Sequence, residues 1–191
     1  MTKHVIDSAK EIKNLSVLAG ENIEDFQRMA HASKTVGISQ EKLADILKDV
    51  NDKIGDFMQT GAGPMVDFFE QIAPKVGVTA EQFKKLSGRD ALQLYVDSLE
   101  KANLSQSDMT FYMEAIASDA TALLPLLKES GKEFEKIGDS LKSPMTAEEA
   151  EKMAKAADIL DKLKTKATNF GAKALVGTFN SFTDMRPHIA K

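Results

Sequence analysis

The feature that most constrains this chain is the spacing of its apolar residues, which recur every three and four positions and nowhere alternate convincingly over four or more residues. Spacing of that kind gathers side chains on one stripe of an α-helix, whereas a half-buried strand needs a period of two. The expected fold class is therefore all-α. The clearest stripe follows Ser39, a good N-cap residue, and runs through Leu43, Ile46, Leu47, Val50, Ile54, Phe57 and Met58. Between these positions Glu41, Lys42, Asp45, Lys48, Asp49, Asp52 and Lys53 fall mostly on the wet face.

Punctuation divides the pattern into short helices. Residues 2–18 and 22–35 read as helices separated by Gly20, and Gly37 within Val36-Gly37-Ile38 fits a left-handed C-terminal residue. The Ser39 helix is expected to end at Gly61-Ala62-Gly63-Pro64, with Pro64 in the first turn of a short helix bearing Met65, Phe68, Phe69 and Ile72. Pro74 and Gly77 are expected to stop that helix. Thr79-Ala-Glu-Gln82 is a capping box, and Ser87-Gly-Arg-Asp90 and Ser105-Gln-Ser-Asp108 repeat the device with aspartate in third place. The helices they open carry Phe83 and Leu86, then Leu92, Tyr95, Val96 and Leu99, then Met109, Tyr112, Met113 and Ile116. A further helix is expected through Leu123, Leu124, Leu126 and Leu127, with Pro125 in its first turn or at a kink.

These elements predict a compact multi-helix bundle with a longer C-terminal helical extension. The organisation expected is an N-terminal helix over 1–21, a compact domain over 22–127, and a charged helix with an apolar C-terminal segment over 128–191. The Leu43–Met58 stripe, Phe68, Phe69, Leu92, Tyr95, Leu99, Tyr112 and Ile116 are expected to form the core. From Lys128 to Lys166 the chain carries nine lysines and nine acidic residues. There Thr146-Ala-Glu-Glu149 caps a long helix whose stripe runs through Ala150, Met153, Ala157, Leu160, Lys164 and Ala167, heptad-like but poor in large residues. From Phe170 to Phe182 the only charge is Lys173. Met153, Leu160, Phe170, Leu175, Val176, Phe179 and Phe182 are the candidate interaction surface. Two outcomes stay open for this segment: it binds a partner, or it folds back onto the core.

Composition narrows the chemistry. A net charge of −4 gives no basic footprint for specific nucleic-acid binding. The absence of cysteine excludes disulfides, thiolate metal sites and cysteine nucleophiles, and fits a reducing compartment. The opening MTKHVIDSAKEIK lacks the apolar region of a secretory signal, and no run approaches the roughly 20 apolar residues of a membrane span. His4, His31 and His188 are scattered, with no pair at the spacing of a helical zinc site. No nucleophile elbow, Walker loop or dinucleotide fingerprint occurs. Glu129-Ser130-Gly131 matches the acid-bearing tripeptide of lytic transglycosylases, but the supporting glycine-leucine-methionine-glutamine stretch is missing, so it reads as a helix C-terminus. The chain is expected to be no enzyme and to hold no cofactor or metal.

Residues 34–57, KTVGISQEKLADILKDVNDKIGDF, 63–79, GPMVDFFEQIAPKVGVT, and 86–127, LSGRDALQLYVDSLEKANLSQSDMTFYMEAIASDATALLPLL, form one collinear block with the weaker 14–38, NLSVLAGENIEDFQRMAHASKTVGI. The block resembles a stretch of the tail tape-measure proteins of long-tailed phages and prophages. The resemblance implies an extended helical protein that sets tail length, contacts tail-tube subunits and an assembly chaperone, and is ejected ahead of the DNA. It places the chain in the host cytoplasm during assembly, and in the virion tail if incorporated. Family members are usually far longer. At about 1.5 Å per residue, 191 residues drawn out as one helix would reach only about 290 Å. A second expectation follows: a small prophage-encoded helical protein that regulates or interferes with a tail component or a host protein. Self-association is a further possibility on either reading.

Overall fold

The local signals become elements in a computed structural model, which describes the backbone of residues 3–184 and the side chains of residues 8–159 and 161–168. The helices are α1 (Lys3–Ala19), α2 (Ile23–Ser33), α3 (Gln40–Thr60), α4 (Ala73–Val76), α5 (Ala80–Phe83), α6 (Gly88–Lys101), α7 (Gln106–Ile116), α8 (Leu124–Leu127), α9 (Lys132–Asp139) and α10 (Ala147–Asp184). No strand occurs among the described residues, and the fold is all-α. The expected caps are in place. Ser39 Oγ accepts the Lys42 N–H at 3.3 Å, and the Ser87 and Ser105 hydroxyls accept the N–H groups of Asp90 and Asp108, each at 3.2 Å. The Thr79 N–H donates to Gln82 Oε1 at 3.0 Å. The Thr146 N–H donates to Glu149 Oε2 at 2.9 Å while its own hydroxyl accepts the Glu149 N–H at 3.2 Å. Each bond satisfies a donor that the first helical turn leaves without an intrahelical partner.

Pro74 does not stop its helix. A π-helical turn over Phe68–Ile72 runs directly into α4, and the Ala73 N–H reaches back five residues to the Phe68 carbonyl. Proline has no N–H to give and its ring crowds the carbonyl four residues earlier, so a widened turn just before it accommodates both demands. The helix ends instead at Gly77. Pro125 lies in the first turn of α8, which follows a 3₁₀ turn over Ala120–Leu123.

The chain divides into two compact units. The larger, Glu11–Ala150, is built on one apolar cluster that joins the inward faces of α2, α3, α6, α7 and α8. Leu43, Ile46, Leu47, Val50 and Ile54 are buried, with Phe57 and Met58 partly buried at the edge. Phe68, Leu92, Tyr95, Leu99, Tyr112 and Ile116 are buried in the same cluster and Phe69 packs against it. The Phe68 ring lies 4.3 Å from that of Tyr95, and Phe69 stacks on Phe57 at 4.2 Å. Tyr95 can be wholly interior because its hydroxyl donates to the Tyr112 carbonyl at 2.7 Å. Burial pushes its phenol pKa upward. Large side chains of this kind each contribute about 1.5–3 kcal/mol when removed from water.

Helix α9 is part of this core although the sequence around it is dense in charge. Phe134 is 4% exposed and belongs to the cluster, while Glu133, Glu135 and Lys136 face solvent. Its main neighbour is α2. The two helices approach closely at Gly138, where a Cβ would stand 3.3 Å from the Arg28 carbonyl oxygen. The lead into α10 is tied to α2 as well: Gln27 Nε2 donates to the Met145 carbonyl at 2.8 Å, and the Met145 N–H donates to Gln27 Oε1 at 3.0 Å. Glu24 Oε1 then accepts the Ala147 N–H at 3.1 Å, capping α10 from a distance. The second unit combines the beginning of α1, up to Lys10, with α10 from Glu151 onward. Within it Lys10 Nζ lies 3.3 Å from Asp158 Oδ1.

Candidate interaction surface

Helix α10 is long because Thr146 caps it and nothing between Ala147 and Asp184 breaks it strongly; Gly171 and Gly177 are absorbed without interruption. Its surroundings change along its length. Ala150 and Ala157 are buried and Met153 is half-buried. From Asp158 to Thr168 every described side chain is exposed, including Ile159 and Leu163, each 58% exposed. These two stand one turn apart on one side of the helix. Of the sequence-derived surface, Met153 is thus partly covered. Leu160, Phe170, Leu175, Val176, Phe179 and Phe182 have their backbone in α10, and their side chains lie outside the described residues.

Sequence reasoning did not single out Ile159 and Leu163. The stripe it followed, Ala150, Met153, Ala157, Leu160, lies about 100° round the helix from Ile159, so the two faces differ by one residue in register. An i, i+4 pair of β-branched and long aliphatic residues was the available signal.

The catalytic candidate can be placed directly. Glu129 is exposed and sits with Ser130 and Gly131 in three successive left-handed conformations, at φ 53°, 57° and 72°. The leucine-rich helix ends before this tripeptide: α8 stops at Leu127 with Lys128 extended, and Gly131 stands at the N-terminus of α9 instead of closing α8. Gln93 holds the turn from α6, its Nε2 donating to the Leu127 carbonyl at 2.8 Å and to Asp97 Oδ1 at 2.8 Å. The Glu129 carboxylate is open to water, with no apolar enclosure around it. His31 Nε2 pairs with Ser140 Oγ at 3.2 Å; the side chain of His4 and the whole of His188 lie outside the described residues. Among the described residues no three His, Cys, Asp or Glu side chains cluster as a metal site would require.

A cleft of about 190 Å³ lies between α2, α6 and α9, with Met29 and Phe134 in its lining. Its two arginines already have partners. Arg28 Nη1 is 3.0 Å from Asp139, and Arg89 Nη2 is 3.2 Å from Glu135 with its guanidinium over the Phe134 ring at 5.9 Å. Just outside, Glu21 Oε1 accepts the Arg89 N–H at 2.9 Å and so caps α6. Burial raises the Glu21 pKa above its ordinary value, against the lowering effect of the Arg89 and Ser87 hydrogen bonds. This cleft is an ion-paired seam between helices, and an anion entering it would have to displace a carboxylate.

Among the described residues no helix is long and apolar enough to cross a membrane. The fold and surface define an all-α helical protein whose described exposed apolar residues include an adjacent pair on its longest helix. The chain matches no family model, no curated protein and no solved structure.

Proposed function

We propose that this protein is a structural and assembly module of a phage or prophage tail, resembling a segment of a tape-measure protein and acting through contacts with tail-tube subunits or a tail assembly chaperone. The observation that carries the reading is the collinear block over residues 34–57, 63–79 and 86–127, which resembles that family in phrase order and in the loops between helices. An all-helical chain whose longest helix leaves its described side chains from Asp158 to Thr168 open to solvent is compatible with such work. On this reading it does no catalysis; it acts in the host cytoplasm during assembly and travels in the virion tail if incorporated.

One structural observation favours a second reading. The Glu11–Ala150 unit has a consolidated core, whereas a ruler within a tail tube is extended. A self-contained helical body suits a prophage-encoded protein that binds a tail component or a host protein and regulates it or interferes with it. Deleting the gene in the lysogen that carries it and inspecting induced particles by electron microscopy separates the two. The assembly role predicts missing tails or tails of altered length, restored by the gene in trans. Particles with normal tails, combined with a changed response to superinfecting phage, would support interference. Normal tails and unchanged superinfection would refute both.

A further inference from the structure

Beyond that functional reading, and independently of it, we infer that α10 is built to pair with α10 of a second copy of this chain in antiparallel orientation. Two observations meet here. The first is the exposed Ile159–Leu163 pair on a stretch where every described side chain from Asp158 to Thr168 is open to solvent. Helices with so little tertiary cover draw little stability from packing, and a partner along the apolar side supplies it.

The second observation identifies the partner. Charge along α10 is segregated into blocks. Residues 148–161 carry five carboxylates, Glu148, Glu149, Glu151, Asp158 and Asp161, against two lysines; residues 162–173 carry four lysines and no carboxylate. The boundary between the blocks falls between Ile159 and Leu163. A two-fold axis near Asp161 therefore does two things at once. It sets Ile159 of each copy on Leu163 of the other, and it lays each acidic block along the other copy's lysine block. An in-register parallel pair would instead set acid on acid and lysine on lysine, which is repulsive at both ends. Asp158 already meets Lys10, but as a half-exposed surface pair that bond is weak and can be shared. Interfaces repeated by a two-fold axis are self-complementary, so each favourable contact counts twice.

The test uses the full chain, which contains no cysteine, so introduced thiols report cleanly. Sedimentation equilibrium of the wild type over a concentration series should reveal a reversible monomer–dimer equilibrium that weakens as salt is raised. Leu163→Glu should weaken it by about ten-fold or more, since the lost contact recurs at both symmetry-related positions. Ala156→Cys and Lys166→Cys stand equally far either side of Asp161. Under mild oxidation, mixing these two variants should give a heterodimeric disulfide in excess of either homodimer. A chain that stays monomeric throughout the series would overturn the inference, as would preferential Lys166→Cys homodimers, which mark a parallel pair. A Leu163→Glu variant that dimerises as well as the wild type would overturn it too.

Discussion

Replacing Gly131 by alanine tests the turn between α8 and α9, and Gly37 supplies an internal control. Both glycines are left-handed, at φ 72° and 80° with ψ 16° and 12°, so an alanine meets nearly the same backbone penalty at each, about 1–2 kcal/mol. Their surroundings differ. Around Gly37 nothing lies within 4 Å of an added Cβ, whereas at Gly131 that Cβ would stand under 3.0 Å from Gln93 Oε1 and 3.1 Å from its Cδ. Gln93 cannot give way freely, because its amide is bonded to the Leu127 carbonyl and to Asp97. Moving it forfeits at least one hydrogen bond, a net loss of about 0.5–1.5 kcal/mol, with some repacking in addition. Gly37→Ala should thus cost about 1–2 kcal/mol and Gly131→Ala about 2–4 kcal/mol. Urea unfolding followed by far-ultraviolet circular dichroism measures both, with an unchanged slope confirming that the native state alone is affected. In a Gln93→Ala background the Gly131→Ala cost should fall to that of Gly37→Ala. Equal costs for the two glycines in the wild type, or a Gly131 cost indifferent to Gln93, would refute the argument that side-chain crowding rather than backbone strain sets the difference.

Three further outcomes follow from the structure. Leu47→Asp should abolish cooperative thermal unfolding, because Leu47 is buried in the α3 face of the main cluster and a carboxylate there finds no partner; a melt like that of the wild type would remove α3 from the core. Ser33→Ala should raise stability by about 1 kcal/mol, since the Ser33 hydroxyl is buried without a hydrogen-bond partner, and a loss on chemical denaturation would mean that hydroxyl is satisfied. Glu21→Gln keeps an acceptor for the Arg89 N–H and removes a carboxylate whose pKa is raised by burial. A raised carboxyl pKa means the folded state holds its proton more tightly than the unfolded state, so the wild type loses stability as pH climbs from the ordinary value of 4.5 through the folded value. The variant should accordingly be the more stable of the two at neutral pH, with the gap closing in acid; a variant that is less stable at neutral pH would show that the charge itself supports α6.

Helix caps lie within three or four residues of what they cap, which is why Ser39, Ser87, Ser105 and Thr146 could be read directly from the chain and why their bonds appear where expected. The same holds for the stripes, because the period of a helix is a local property; the buried set from Leu43 to Ile54 follows from spacing alone. The candidate surface was only partly legible. Sequence located the C-terminal helix and its scarcity of large apolar residues, but two stripes one residue apart, Ala150–Met153–Ala157 and Ile159–Leu163, are equally helical. Small alanines permit close approach, and only the packed structure settles that Ala150 and Ala157 are covered while Ile159 and Leu163 stay exposed. The tertiary structure alone also decided the couplings between distant parts of the chain. Glu21 caps α6, Gln27 clasps the Met145 backbone, and Gln93 holds the left-handed turn at 129–131. Each such bond spans from 34 to 118 residues of sequence, so its formation depends on helices already packed into place and leaves no periodic trace in the chain. The π-turn before Pro74 and the burial of Phe134 inside a run of charge belong with them, for a widened turn lets a helix absorb its proline, and α9 docks through Phe134, the partly buried Ile137 and the close approach at Gly138 while its charged faces stay wet.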